Sequence, residues 1–276
     1  MQSNLLMMRR LSALAVLGLV GTMMCGTAKL RAAELVPHTA LYKLSLDHAK
    51  DGSVAAASGS MTFEMIDACD GWAVRQRLDM TLTNEGGQDV HMVSDYTTFE
   101  AKDGLSLRFR MHQATDGETP DDVSGTAKLD AAGGPGLVNY DLPKTGTHKL
   151  PAGTLFPTMH TARILDAAQK GTKFLSLPLF DGTSADGEQD SSVVMTGWDK
   201  TAPTPQVLAP LKDLPSGRVR IAFVDRKASD GSDGPDYQVA MRYWANGVAE
   251  DMQMDFGDFV MTGKIDKLTI NKAACN

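Results

Sequence analysis

The chain has 276 residues and a formal net charge of −7 at pH 7, with 34 acidic and 27 basic side chains. An acidic chain that lacks a dense Lys/Arg stripe argues against nucleic-acid binding and against adhesion to anionic lipid surfaces. The length suits one large β domain or two small ones.

The amino terminus has the layout of a secretory signal. Two arginines precede an apolar run over residues 11–24, and small residues follow it. The run is shorter than the roughly 20 residues needed to span a bilayer. We predict a signal peptide over residues 1–28, cleaved after Ala28 or alternatively after Ala33, and an uncleaved anchor is the competing interpretation. Export predicts a periplasmic location, and no later segment is apolar enough to cross a membrane.

Cleavage changes the cysteine count. Cys25 leaves with the signal, so the mature chain keeps only Cys69 and Cys275. Two cysteines in an exported protein most simply pair, because the periplasm is oxidising. Two free thiols or an intermolecular bridge are the alternatives.

Alternation of apolar and polar residues dominates the mature chain. Between 72 and 83, apolar residues such as Leu78 and Met80 fall on one face, and charged residues such as Arg77 and Asp79 fall on the other. A two-residue alternation that leaves one face of the strand exposed to solvent is typical of antiparallel sheets. The same pattern predicts strands near 38–47, 58–67, 72–83, 88–100, 105–112, 122–130, 136–142, 173–180, 191–198, 218–223, 238–243, 248–256 and 259–270.

Turn residues separate these segments. Asp-Gly and Asn-Gly pairs such as Asp103-Gly104 and Asn246-Gly247 favour tight hairpins, because they accept positive φ readily. We therefore expect about twelve to fourteen strands in up-and-down order, in a sheet that curls to hide its edges. No linker divides the chain, so 34–276 is predicted to be a single, mainly β domain.

One segment departs from the strand pattern. Residues 157–171 carry apolar side chains at helical spacing, which predicts a single amphipathic helix. Thr158 can cap its start, Lys170 suits its negative end, and Gly171 can take the left-handed terminal position. A lone helix in a curled sheet is expected to plug the open end or the interior.

The sequence shows no defensible catalytic or metal motif. The nucleophile elbow, the zinc-protease helix and the phosphate- and dinucleotide-binding glycine patterns are all missing, and the six histidines are scattered singly. The acidic loop 181–190 superficially suggests calcium, but Ser192 stands where an EF-hand requires a bidentate Glu. We predict no catalytic residue, no metal site and no cofactor.

Inward-facing apolar residues are candidates for a cavity wall. Methionines recur in the strand-like segments, and flexible thioethers can line an adaptable apolar cavity. Taken alone, these methionines favour ordinary core filling over cavity lining, and both interpretations stay open. The candidate lining residues are Trp72, Leu78, Met80, Leu107, Phe109, Met111, Val239, Met241 and Tyr243.

A segment near the predicted helix resembles a known family. Residues 153–161 read GTLFPTMHT and residues 179–182 read LFDG, which is similar to the EipB family of α-proteobacterial periplasmic envelope-integrity proteins, long filed as a domain of unknown function. The pair of Cys69 and Cys275 matches the family as well. The resemblance covers essentially the whole mature chain.

The resemblance carries several implications. It implies a spiral-like, nearly closed sheet of about fourteen strands with an inserted helix and an intramolecular Cys69–Cys275 disulfide. The architecture is similar to that of the lipoprotein carriers LolA and LolB. The implied role is maintenance of cell-envelope integrity without enzymatic activity, with a periplasmic tetratricopeptide-repeat protein as a partner.

Three functional hypotheses follow. The first is a non-enzymatic protein that binds a lipid-like or other apolar envelope molecule, and the second is a scaffold that engages a periplasmic partner without a ligand. A hydrolase is the remote third. The sequence identifies neither the ligand nor the oligomeric state.

Overall fold

The backbone forms one antiparallel sheet of fourteen strands. The computed structural model describes residues 34–50, 52, 54–116, 118–198, 206–225, 235 and 237–275. The predicted signal peptide, residues 1–28, lies outside the described residues. No helix within these ranges is both long and apolar enough to cross a membrane.

The first eight strands run up and down in chain order. Each pairs with the next, so they form a continuous meander. Their bounds are β1 His38–Ala49, β2 Val54–Asp67, β3 Gly71–Asn84, β4 Asp89–Ala101, β5 Ser106–Thr115, β6 Asp121–Leu129, β7 Gly136–Leu142 and β8 Gly146–Leu150.

A helical connection separates this meander from a second one. This connection contains helix α1, Pro157–Gln169. A short 3-10 helix, Gln206–Leu211, lies later in the chain, within the second meander. The remaining strands are β9 Phe174–Leu179, β10 Gln189–Met195, β11 Ser216–Asp225, β12 Tyr237–Trp244, β13 Ala249–Asp255 and β14 Phe259–Ile270.

The two meanders join through the first and last strands. β1 pairs with β14 along its whole length, from His38 opposite Ile270 to Ala49 opposite Phe259. This pairing places β8 at one edge of the sheet and β9 at the other. The first and last strands are therefore paired in the middle of the sheet, whereas β8 and β9, from the middle of the chain, form its two edges.

The sheet curls so that its two edges approach each other. Register shifts in several pairs, such as that between Leu41 and Tyr42, mark bulges that bend and twist the strands. His148 on β8 lies with its Nε2 2.8 Å from Oε2 of Glu188, which immediately precedes β10. β8 and β9 do not pair within the described residues, so the sheet is curled but not closed.

Helix α1 fills the interior of this curl, as its amphipathic pattern predicts. Ile164 and Leu165 are fully buried against strands of both meanders. Gly171 adopts a left-handed φ of +77° just beyond the helix, as predicted. Thr158 is not the cap that the sequence suggested, because Pro157 already occupies the first turn and no side chain of the preceding residue caps the helix.

The mainly β fold with one inserted helix is confirmed, and the strand that the sequence missed is informative. β8 reads Gly-Thr-His-Lys-Leu, and only Leu150 of its five residues is buried. An edge strand that is exposed on both faces carries no apolar alternation, so periodicity could not reveal it.

Candidate functional site

A cavity of about 570 Å³ lies inside the curl, between β1–β5 on one side and β12–β13 on the other. This volume falls within the range of typical small-molecule sites. Its walls are Leu35, His38, Tyr42, Met61, Phe63, Met65, Gln76, Leu78, Met92, Ser94, Met111, Gln113, Thr161, Tyr237, Val239, Met241, Tyr243, Gly247, Ala249, Met252, Met254 and Phe256.

Methionine is the most frequent residue in the wall of this cavity. Seven of the lining residues are methionines, contributed by β2, β4, β5, β12 and β13. Their unbranched thioether side chains can change rotamer at low cost, so the walls can adapt to ligands of different shape.

A second cavity of about 340 Å³ adjoins the first at the amino-terminal end of α1. The two share nine wall residues, among them Met111, Met241 and Tyr243. The two cavities therefore adjoin, and a ligand longer than the first could extend toward the second.

The wall of the larger cavity carries no Lys, Arg, Asp or Glu among the residues described there. His38, its one titratable imidazole, donates from Nδ1 to the carbonyl oxygen of Val36 at 2.8 Å. Burial lowers the pKa of His38, which keeps the ring neutral. Charged side chains instead pair across strands at exposed positions, as Arg77 does with Asp95 at 2.6 Å. The described wall of the larger cavity is thus uncharged and largely apolar.

A buried carboxylate holds the start of α1. Glu100 on β4 is 2% exposed, and its two oxygens accept the backbone N–H groups of Thr158 at 2.6 Å and Met159 at 2.9 Å. These N–H groups lack intrahelical partners, and Glu100 satisfies them from another element. Burial raises the pKa of Glu100 to about 7, against the lowering effect of those hydrogen bonds.

The next residue of the same helix makes a buried polar pair. His160 lies with Nε2 2.7 Å from Oγ of Ser191, and that hydroxyl donates to the carbonyl oxygen of Leu177 at 2.8 Å. Because the serine proton is committed to Leu177, the imidazole must donate from Nε2. Burial lowers the pKa of His160 to about 4. Ser191 is fully buried, so this pair resembles a structural hydrogen-bond chain rather than an activated nucleophile.

The acidic loop 181–190 is organised by its own hydrogen bonds. The side chain of Asp181 accepts from the backbone and hydroxyl of Thr183 and from the amide of Gln189, at distances between 2.8 and 3.0 Å. Within the described ranges, no three His, Cys, Asp or Glu side chains are arranged to hold a metal ion.

Cys69 and Cys275 form a disulfide with their Cα atoms 5.5 Å apart. Cys69 lies in the turn between β2 and β3 and has a left-handed φ of +72°. Asp67 fixes this turn, because one of its carboxylate oxygens accepts the Cys69 N–H at 3.0 Å and the Lys102 ammonium at 2.6 Å. The bond from Lys102 holds the pKa of Asp67 below its ordinary value.

Comparison with known proteins places this fold in a family. Residues 29–272 match the EipB-like family model. The chain belongs to the EipB-like family. It is 33% identical over 256 residues to the Cell envelope integrity protein EipB of Brucella abortus (strain 2308), with 89% of each chain covered.

A solved structure agrees with this assignment. The crystal structure of a beta-barrel-like protein of domain of unknown function DUF1849 from Brucella abortus superposes with a TM-score of 0.77 at 32% sequence identity. The match covers 87% of this chain and 99% of that one. The curled sheet of this EipB-like chain is therefore shared with an experimentally determined relative.

Five of the nine residues proposed from the sequence as cavity lining lie on the walls of the larger cavity. They are Leu78, Met111, Val239, Met241 and Tyr243.

The other four predicted lining residues lie elsewhere. Met80 is 1% exposed and packs in the main core. Trp72 lies under the Lys102 ammonium, 4.6 Å from its ring centroid, near the disulfide. Leu107 and Phe109 pack in a separate cluster, where Phe180, directly after β9, meets the Phe109 ring edge-on at 5.3 Å. Met80, Leu107 and Phe109 face inward but are buried, so neighbouring side chains fill the space before them.

Several polar residues at the cavity and at the start of α1 were missed. Gln76 falls between Val74 and Leu78 on the inward face of β3, and Glu100 ends the inward face of β4. The available signal for both is a polar residue that interrupts an inward-facing apolar row.

Proposed function

We propose that this EipB-like protein works in the periplasm, where it binds a lipid-like or other apolar envelope molecule and thereby helps to maintain the integrity of the cell envelope. It acts in this proposal as a binding protein without catalytic activity. The observation that carries the proposal is the methionine-lined cavity of about 570 Å³, whose described wall residues include no charged Lys, Arg, Asp or Glu.

The sequence and the family support the cellular setting. The basic and apolar layout of the amino terminus supports export. The name of the Brucella relative, Cell envelope integrity protein EipB, supports a role in the envelope. A periplasmic tetratricopeptide-repeat partner remains a prediction from the family resemblance, and co-purification from periplasmic extract would test it.

The direct test is to identify what the protein carries. We expect mass spectrometry of an organic extract to find an apolar molecule that co-purifies with the natively prepared protein. A neutral fluorescent probe, N-phenyl-1-naphthylamine, should also bind and be displaced by that extract. If no molecule co-purifies and the probe does not bind, the carrier proposal is wrong.

Filling the cavity should weaken binding. Met111 is half-buried and lines both cavities, so Met111→Trp should lower probe affinity by about tenfold or more while the added volume costs about 1–3 kcal/mol of stability. Fluorescence titration measures the affinity, and urea unfolding checks the fold.

The matched control is the same bulky change outside the cavity. Leu137 is 44% exposed on β7, so Leu137→Trp should leave probe affinity unchanged. In a deletion strain, the binding proposal expects Leu137→Trp but not Met111→Trp to restore resistance to detergent. Full rescue by a Met111→Trp protein that no longer binds the probe would instead favour the scaffold hypothesis.

A further inference from the structure

A polar band crosses one wall of the otherwise apolar cavity. Gln76, Ser94 and Gln113 lie on the three adjacent strands β3, β4 and β5, and all three line the cavity. Ser94 is paired with Leu78 on one side and with Gln113 on the other. Gln76 lies two residues from Leu78 along β3, so its side chain is a diagonal neighbour of Ser94.

The band is poorly satisfied by the protein itself. Within the part of the chain that the structure describes, neither the Gln76 nor the Gln113 side-chain amide has a protein hydrogen-bond partner. The Ser94 hydroxyl approaches only the Met111 sulfur, at 3.5 Å, and a thioether is a weak acceptor. Two primary amides and one hydroxyl therefore present free donors and acceptors to the cavity.

These groups constrain what can enter. Water can solvate them in the empty cavity, but a purely hydrocarbon ligand would displace that water and leave the amides unpaired. An unpaired buried polar group costs about 1–3 kcal/mol. A ligand whose own hydrogen-bonding group lies next to this polar band avoids that cost.

The charge of the wall constrains the ligand further. Among the described residues of the larger cavity there is no cationic side chain to neutralise an anion, and burial lowers the pKa of His38 despite the opposing effect of its bond to Val36, so the ring is neutral. The adjoining cavity offers Asp181, whose carboxyl supplies no positive charge in either protonation state. A carboxylate or phosphate inside would be desolvated without a counter-charge, which is strongly unfavourable.

We infer that the ligand is an amphiphile whose polar group is uncharged, such as a hydroxyl, an ester or a carboxamide, and that this group binds the Gln76–Ser94–Gln113 band while the hydrocarbon chain lies among the methionines. This inference rests on the proposed carrier function. It adds the chemical class of the ligand and the residues that select it.

The test compares ligands that share one acyl chain. Palmitamide, monopalmitoylglycerol and palmitate each compete with N-phenyl-1-naphthylamine for the full mature protein. The pH is about 8, at which a free carboxylic acid is ionised. We expect the amide and the glycerol ester to compete about tenfold or more better than palmitate. If none of the three binds, the carrier proposal itself fails. If palmitate binds as well as the amide or better, the carrier proposal stands and the uncharged-ligand inference is wrong.

Substitutions locate the selectivity. Gln76→Met and Gln113→Met keep the side-chain length and remove the amide, so each should reduce the preference for palmitamide over palmitate by several-fold. Gln206→Met makes the same change at an exposed position on the 3-10 helix and should change nothing. A preference that survives the double substitution Gln76→Met/Gln113→Met would show that this band does not select the ligand.

Discussion

Breaking the Cys69–Cys275 disulfide is expected to lower the free energy of unfolding by up to about 5 kcal/mol, because the bond closes a loop with a sequence separation of 206 residues. In the chain-entropy model the stabilisation grows with the logarithm of loop length, and measured values often fall short of it. The fold should nevertheless persist in the reduced protein.

The position of the bond explains why the effect should be large. Cys275 follows β14, Cys69 follows β2, and β1 lies between these two strands in the sheet. The disulfide therefore spans the junction at which the two meanders meet. Without it, that junction depends on the β1–β14 pairing and on local bonds such as the Asn271 N–H to the Pro37 carbonyl at 2.9 Å.

Cys275→Ser is the cleaner variant for this measurement. Cys275 lies in the short tail beyond β14, whereas Cys69 occupies a left-handed conformation that adds its own backbone cost to any substitution. Urea unfolding should give the same free energy for Cys275→Ser and for wild-type protein unfolded in the presence of a reductant, because neither has the disulfide. A thiol assay on denatured, unreduced wild type should find no reactive cysteine. Unchanged stability in Cys275→Ser would contradict the expected role of the bond.

The sequence predicted the sheet well because strand alternation is a local signal. On β3, Leu78 and Met80 point inward while Arg77 is exposed, and two-residue periodicity alone indicates this. The curl and the inserted helix followed from the number of strands and from one helical stretch. β8 was not predicted, because an edge strand exposed on both faces needs no apolar face and so shows no alternation.

The wall of the cavity was harder to predict, because it depends on which inward residues meet another element. Met80 and Met111 have the same chemistry and both face inward, yet Met80 is enclosed by the core and Met111 borders open space. Phe109 is covered by Phe180, which directly follows the edge strand β9. Such contacts follow from the curvature of the sheet, and no local pattern encodes them.

The capping of α1 shows the same limit. A local rule selects Thr158, but the helix N–H groups are satisfied by Glu100, which lies 58 residues earlier in the chain. An acidic residue at the buried end of a strand face carries a desolvation cost that only a distant partner can offset. The sequence shows an acidic residue, Glu100, on an inward strand face, but it does not show that the start of α1 is its partner.

Glu100 and His160 together should make stability unusually insensitive to mildly acidic pH. The pKa of His160 falls from 6.5 to about 4 on folding, so its contribution to stability is present above about pH 6.5 and is lost as the pH falls. The pKa of Glu100 rises from 4.5 to about 7, so its contribution is present below about pH 4.5 and is lost as the pH rises. Between these limits the two slopes oppose each other.

Single substitutions should expose each slope. Relative to wild type, Glu100→Gln lacks the Glu100 term, so the difference in the free energy of unfolding should rise by about 3 kcal/mol between pH 4.5 and 7. His160→Gln lacks the His160 term, so its difference from wild type in the free energy of unfolding should fall by about 3 kcal/mol between pH 4 and 6.5. The amide that His160→Gln introduces can still donate to Ser191, so the baseline loss should be modest.

Urea unfolding at several pH values across this window measures both slopes. Other buried groups, such as His38 and Asp181, also titrate with shifted pKa values, but they are common to all the variants and cancel when each variant is compared with wild type. The double variant Glu100→Gln/His160→Gln should recover the flat profile at a lower overall stability. Parallel pH profiles for the two single variants would contradict the opposing shifts, since the sign of each slope depends only on the direction in which folding moves that group's pKa.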